Sequence, residues 1–165
     1  MGVCGSGKST VGAALASRLN AVFLEGDEFH PPGNVARMAA GIALTDADRQ
    51  GWLAALADRL GAMRREGRAV VLSCSALRRS YRDTLRSQAS DLALIYLAGA
   101  PEVLAQRMAG RTGHYMPPSL LASQLATLEP PQADEQALTL DIAQAPARLV
   151  DDALAWLQAG GRGAA

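Results

Sequence analysis

The chain has 165 residues, 49% of them hydrophobic and 19% charged, which is enough for one compact domain with a sizeable core and excludes wholesale disorder. Sixteen basic residues balance sixteen acidic ones, so no global field attracts nucleic acid or an anionic membrane, and any anion site must be local. Two cysteines, Cys4 and Cys74, cannot build a disulfide framework, no His/Cys group has zinc spacing, and neither a membrane span nor a signal peptide is legible, so a cytoplasmic location is expected.

Gly2 to Gly7 reads as a glycine-rich turn that opens a helix from Ser9 to Leu19, where Val11, Leu15 and Leu19 recur every four residues. Ala21 to Leu24 is a short apolar strand stopped by Gly26 and Asp27. His30 to Gly41 begins with Pro31, Pro32 and Gly33 and reads as a loop feeding a short helix. Thr45 then caps a helix through Trp52, Leu53, Leu56 and Leu60 that stops at Gly67. Arg68 to Cys74 holds a continuous apolar run, the pattern of a strand buried on both faces.

Ser80 to Ser87 reads as a short basic helix, Leu92 to Leu97 as a third strand, and Pro101 as the first-turn residue of a helix through Met108. Arg111 to Pro118 is polar and turn-rich, followed by a helix from Ser119 to Leu128, a strand at Leu138 to Ile142 and a closing helix from Ala147 to Gln158. This alternation predicts a three-layer α/β/α domain with a parallel sheet over residues 1–159, and a disordered tail over 160–165.

Gly2, Gly5, Gly7, Lys8 and Ser9 complete the pattern G-x-x-x-x-G-K-[ST]. Its glycines let successive backbone N–H groups close around phosphate oxygens, the lysine reaches the β/γ-phosphates, and the serine hydroxyl ligates Mg²⁺. Gly2, Gly5, Ser6, Gly7, Lys8, Ser9 and Thr10 are therefore the candidate ATP contacts. The chain has fifteen arginines and a single lysine, and that lysine falls where the motif requires one, where arginine is too wide to substitute. A phosphate loop should hang from a buried central strand, yet only Met1 precedes Gly2; the expectation is that five or six apolar residues belong upstream.

With its only lysine already used, the chain cannot carry the N-K-x-D motif of a GTPase, and the strand at Ala69 to Cys74 ends without a Walker B acid. Small-metabolite kinases remain. The chain resembles the gluconokinase family of small phosphate-loop kinases across nearly its whole length. The resemblance is carried by G-V-C-G-S-G-K-S-T from Gly2, G-D-E-F-H-P-P-G-N from Gly26, D-A-D-R from Asp46 with Trp52 and Leu53, C-S-A-L-R-R-S-Y-R-D from Cys74, G-H-Y-M-P from Gly113 and S-Q-L-A-T-L-E-P from Ser123. Gly51 stands where that family usually has proline, Leu125 where an aromatic is common, and Arg37, Arg78 and Arg79 where lysine is frequent.

The resemblance implies a fold related to shikimate and adenylate kinases, a substrate segment at about 28–60, a mobile lid at about 109–118, and a homodimer. It implies ATP and Mg²⁺ as cofactors and transfer of the γ-phosphate to the 6-hydroxyl of D-gluconate. Asp27, at the end of the strand expected at Ala21 to Leu24, is the candidate acceptor of the hydroxyl proton or a member of the Mg²⁺ shell beyond Ser9. A sugar acid needs a fixed cation and several hydrogen-bonding groups, for which Arg49, Arg78, Arg82 and His30 are the candidates. Ser75 and Ala76 could offer backbone N–H groups, as the matching loop does in shikimate kinase, while Arg107 and Arg111 are candidate charge stabilisers near the lid. His114 and Tyr115 read as lid packing. The alternatives are another acceptor on the same fold, shikimate or adenylylsulfate, and a nucleotide-binding regulatory protein without catalysis.

Overall fold

The protein is described by a computed structural model that places residues 1–110 and 119–160. The lid expected at 109–118, with Arg111, His114 and Tyr115, lies almost wholly outside the described residues, as does the tail beyond Gly160.

In chain order the elements are α1 (Lys8–Leu19), β1 (Val22–Glu25), α2 (Pro32–Ala39), α3 (Asp46–Arg65), β2 (Val70–Ser73), α4 (Arg79–Arg86), β3 (Leu94–Ala98), α5 (Pro101–Ala109), α6 (Leu120–Thr127), β4 (Ala137–Asp141) and α7 (Pro146–Gln158). The expected alternation is present. Local chemistry sets the boundaries: Pro32, Pro101 and Pro146 open their helices in the first turn, where their missing N–H costs nothing. Thr45 caps α3 through a reciprocal bond with Asp48, its hydroxyl accepting the Asp48 N–H while the Asp48 carboxylate accepts the Thr45 N–H.

The strands form two parallel pairs, β1 with β2 from Val22↔Val70 to Glu25↔Ser73, and β3 with β4 from Leu94↔Ala137 to Ala98↔Asp141. Between β2 and β3 lies an apolar groove of about 340 Å³, lined in part by Val71, Leu72, Leu94 and Ile95. The strand expected before the phosphate loop is represented among the described residues by Met1 and Gly2. The Met1 amine donates to the Ile95 carbonyl at 2.5 Å, the Met1 carbonyl accepts the Leu97 N–H at 3.0 Å, and the Gly2 N–H reaches the Ser75 carbonyl at 3.2 Å. The loop therefore starts from a central position, bridging both pairs.

Helices cover both faces. On one, α1 and α7 pack together over a cluster that includes Val11, Leu15, Leu97, Leu140, Leu149 and Val150. On the other, α3 and α4 enclose Trp52, Leu56, Leu60, Tyr81 and Leu85. Parallel strands place all their C-terminal ends on one edge, and the turns that follow them carry Asp27, Ser75 and the phosphate loop.

Candidate active site

The phosphate loop takes its shape from glycine. Gly2, Gly5 and Gly7 have φ of 142°, 79° and 89°, in the left-handed region that side chains resist. At Gly2 space also forbids a side chain, because a Cβ would lie 2.8 Å from the Leu97 carbonyl oxygen. Gly7 turns the chain directly into α1, so the first N–H groups of a twelve-residue helix face the loop. Lys8 folds back across it and donates to the Val3 carbonyl at 2.9 Å. Burial lowers the Lys8 pKa, and the negative field of Asp27, the largest opposing influence, limits the drop. These residues fit a triphosphate: the loop offers backbone donors and one ammonium, with the Ser9 hydroxyl beside them for a divalent ion.

Two depressions flank the loop. The first is a cleft whose lining includes Lys8, Ser9, Asp27, His30, Arg49 and Ser75. The second, on the other side, is lined by Gly5, Gly7, Thr10, Arg107, Gln144 and Pro146 among others. Asp27 stands in a 3₁₀ turn, Gly26–Phe29, directly after β1, so it reaches the cleft from a turn and not from the strand itself.

A layer of aromatic and ionic contacts fixes the first cleft. Trp52, buried on α3, donates its indole N–H to the Gly26 carbonyl at 2.7 Å, and His30 stacks on its ring with centroids 4.2 Å apart. Burial lowers the His30 pKa, Asp27 partly offsets this, and the buried Nδ1 has no protein partner. Arg49 lies in the cleft with its guanidinium 5.7 Å from the Tyr81 ring and donates to the Tyr81 hydroxyl at 3.3 Å. That hydroxyl in turn donates to Asp46 at 2.5 Å, so Arg49 is a held cation.

Four of the expected contacts have other occupations. Arg82 is fully buried and spent: Nε and Nη2 bind both oxygens of Glu135 at 2.5 and 2.6 Å, and Nη1 is shared among the carbonyls of Ala76, Leu77 and Glu129. Buried in this way, it does not reach the cleft. Ala76 is buried with φ 45°, its N–H turned to the Cys74 sulfur, whose burial pushes the thiol up to about 12. Ala76 is absent from the cleft lining, while its neighbour Ser75 is part of it. Arg78 is held by Asp46 at 2.8 Å, outside the cleft lining. Arg107 lies in the second depression, where it donates to the Ile142 carbonyl at 2.7 Å, and so stands on the far side of the phosphate loop from Asp27.

Trp52 and Gln124 carry weight that the sequence reading did not give them. The side-chain oxygen of Gln124, on α6, accepts the Cys4 N–H at 2.7 Å and so ties the phosphate loop to that helix. Both residues fall inside motif blocks already noted, Trp52 after D-A-D-R and Gln124 in S-Q-L-A-T-L-E-P.

Residues 1–131 match a family described as an AAA domain. The chain is 45% identical to the gluconokinase of Gluconobacter oxydans (strain 621H) over 159 residues, covering 96% of this chain and 89% of that one. It is 45% identical to the thermoresistant gluconokinase of Escherichia coli (strain K12), covering 87% of this chain and 83% of that one. The crystal structure of a gluconokinase from Sinorhizobium meliloti 1021 superposes with a TM-score of 0.88 at 51% identity, covering 98% and 90% of the two chains. The chain belongs to the gluconokinase family. The residues of the cleft just described come from the blocks that carried the resemblance: Asp27 and His30 from G-D-E-F-H, Arg49 from D-A-D-R, and Ser75 from C-S-A-L.

Proposed function

We propose that this protein transfers the γ-phosphate of ATP to the 6-hydroxyl of D-gluconate, giving 6-phospho-D-gluconate and ADP. The observation that carries the reading is the composition of the cleft beside the phosphate loop. It offers Asp27 as a carboxylate, Arg49 as a held cation and the His30 imidazole within one lining. A sugar acid uses all three: its carboxylate pairs with Arg49, its hydroxyls bond to His30 and Ser75, and its terminal hydroxyl gives its proton to Asp27.

As the acceptor oxygen forms its bond to phosphorus, the bond to the departing ADP oxygen breaks and negative charge builds on the phosphoryl oxygens. Lys8 and the loop N–H groups stabilise that charge. Ser9 would hold Mg²⁺, which when bound neutralises phosphate charge, and Asp27, in the same lining, would be the further candidate for its shell. Thr10 and Arg107, in the second depression, would face the nucleotide, and Arg111 would complete the charge stabilisation from the lid. A homodimer working in the cytoplasm completes the reading.

The test is ADP release in a coupled assay across gluconate, other sugar acids, shikimate, adenylylsulfate and nucleoside monophosphates, with and without Mg²⁺. Turnover that needs gluconate and a divalent ion is expected. Turnover with shikimate or adenylylsulfate instead would keep the phosphate loop and discard the acceptor, and tight ATP binding without turnover would favour a regulatory protein.

A further inference from the structure

Ser75 and Leu77 line the acceptor cleft, and the residue between them is held in an unfavourable conformation. Ala76 has φ 45°, in the left-handed region that an alanine Cβ resists. Three carbonyls surround that kink, those of Ala76, Leu77 and Glu129, and one guanidinium nitrogen, Arg82 Nη1, donates to all of them at 3.0 to 3.3 Å. The remaining donors of Arg82 are fixed by both oxygens of Glu135.

Glu135 is itself immobilised. It accepts from Arg86 at 3.2 Å and from the Gln132 N–H at 3.0 Å, while its own carbonyl accepts from Arg86 at 2.8 Å. The Glu129 N–H closes the circuit on the Leu77 carbonyl at 2.8 Å, and the Glu129 carboxylate accepts the Arg79 N–H at 2.7 Å. Glu129 lies two residues beyond α6, the helix whose Ser123 and Gln124 line the cleft and whose Gln124 holds the phosphate loop.

We propose that the buried Arg82–Glu135 pair is the positioning device of the acceptor loop: it holds Ala76 in its kink, sets Ser75 and Leu77 against the bound acceptor, and locks that loop to α6. Arg82 touches no substrate and acts through Ala76. An apolar pair of similar volume would fill the core as well, but could not satisfy three inward-facing carbonyls. The kink then has a purpose, since Ala76 turned to ordinary backbone angles would swing Ser75 away from the cleft. The proposal rests on gluconate being the acceptor. It predicts an effect on acceptor binding separate from nucleotide binding, because the Gly2 N–H to Ser75 carbonyl bond is the loop's one direct tie to the phosphate loop among the bonds described here.

The experiment is steady-state kinetics of the whole protein, varying gluconate at saturating ATP and ATP at saturating gluconate, with the folded fraction checked by circular dichroism. Arg82→Lys keeps the charge and loses the fork; it is expected to raise the gluconate KM at least tenfold while the ATP KM stays within about twofold. Adding Ala76→Gly to that variant should recover much of the gluconate KM, because glycine holds a positive φ unaided. Arg86→Lys, which loosens Glu135 from the half-buried side, should give the same pattern at smaller size and decides the matter if Arg82→Lys does not fold. Folded variants with an unshifted gluconate KM, with both KM values shifted alike, or with no recovery through Ala76→Gly overturn the proposal. Wild-type protein that does not turn over gluconate overturns the acceptor reading instead.

Discussion

The indole N–H of Trp52 on α3 meets the carbonyl of Gly26 at 2.7 Å, joining a buried helix face to the residue directly before Asp27. The same ring supports His30 by stacking, so one side chain sets the place of two residues in the cleft beside the phosphate loop. Trp52→Phe keeps a ring and removes the donor, leaving the Gly26 carbonyl unpaired in a buried site. A loss of about 1–3 kcal/mol in urea unfolding is expected, together with a raised gluconate KM in the coupled assay.

Lys8 carries its charge inside the phosphate loop, and the chain has no second lysine to replace it. Lys8→Met should lower kcat by about 10²-fold or more, with the circular dichroism spectrum unchanged. A rate within a few-fold of wild type would remove the lysine from the chemistry.

Gly26 lies so close to β2 that a Cβ there would overlap the Ser73 carbonyl oxygen, which is backbone and cannot turn aside. Gly26→Ala should therefore spread β1 from β2 just before Asp27. A stability loss of more than about 2 kcal/mol and a drop in turnover are expected, read by thermal unfolding and by ADP release.

The Met1 amine, buried between β2 and β3 and facing the charges of Lys8 and Arg82, has its pKa lowered from 8.0 to about 5, chiefly by burial. An amine depressed in the folded state favours folding fully above its unfolded pKa, and that contribution is lost as pH falls through the folded value. In a polypeptide with a free amine at Met1, the melting temperature should fall between pH 8 and pH 5. His30, lowered in the same direction, adds to the lower part of this range, so the comparison is made in His30→Gln. A flat profile there would show that the amine is hydrated.

The phosphate loop was legible because its chemistry is local. Positive φ at Gly2, Gly5 and Gly7, a lysine at the helix start and a serine after it follow from consecutive residues, and the structure has them as spaced. The helix start at Pro101 and the Thr45 cap were legible for the same reason, whereas α2 begins at Pro32, inside the segment read as a loop, and α7 at Pro146, one residue before its expected start. What proximity in space decides was less so. Arg78, Arg82 and Arg107 are alike in sequence as cations near a strand end or a lid, and only their partners tell them apart.

Glu135 lies 53 residues beyond Arg82, Asp46 lies 32 before Arg78, and the Ile142 carbonyl lies 35 beyond Arg107. Local spacing carries no information about those pairings, because they arise when helices and strand ends converge on a shared core. The sequence by itself determined a phosphate-binding α/β kinase fold and a short roster of charged groups around its acceptor. The tertiary structure decided which of those groups face the cleft, since a guanidinium such as that of Arg82, buried in the core against its own carboxylate, does not reach a ligand.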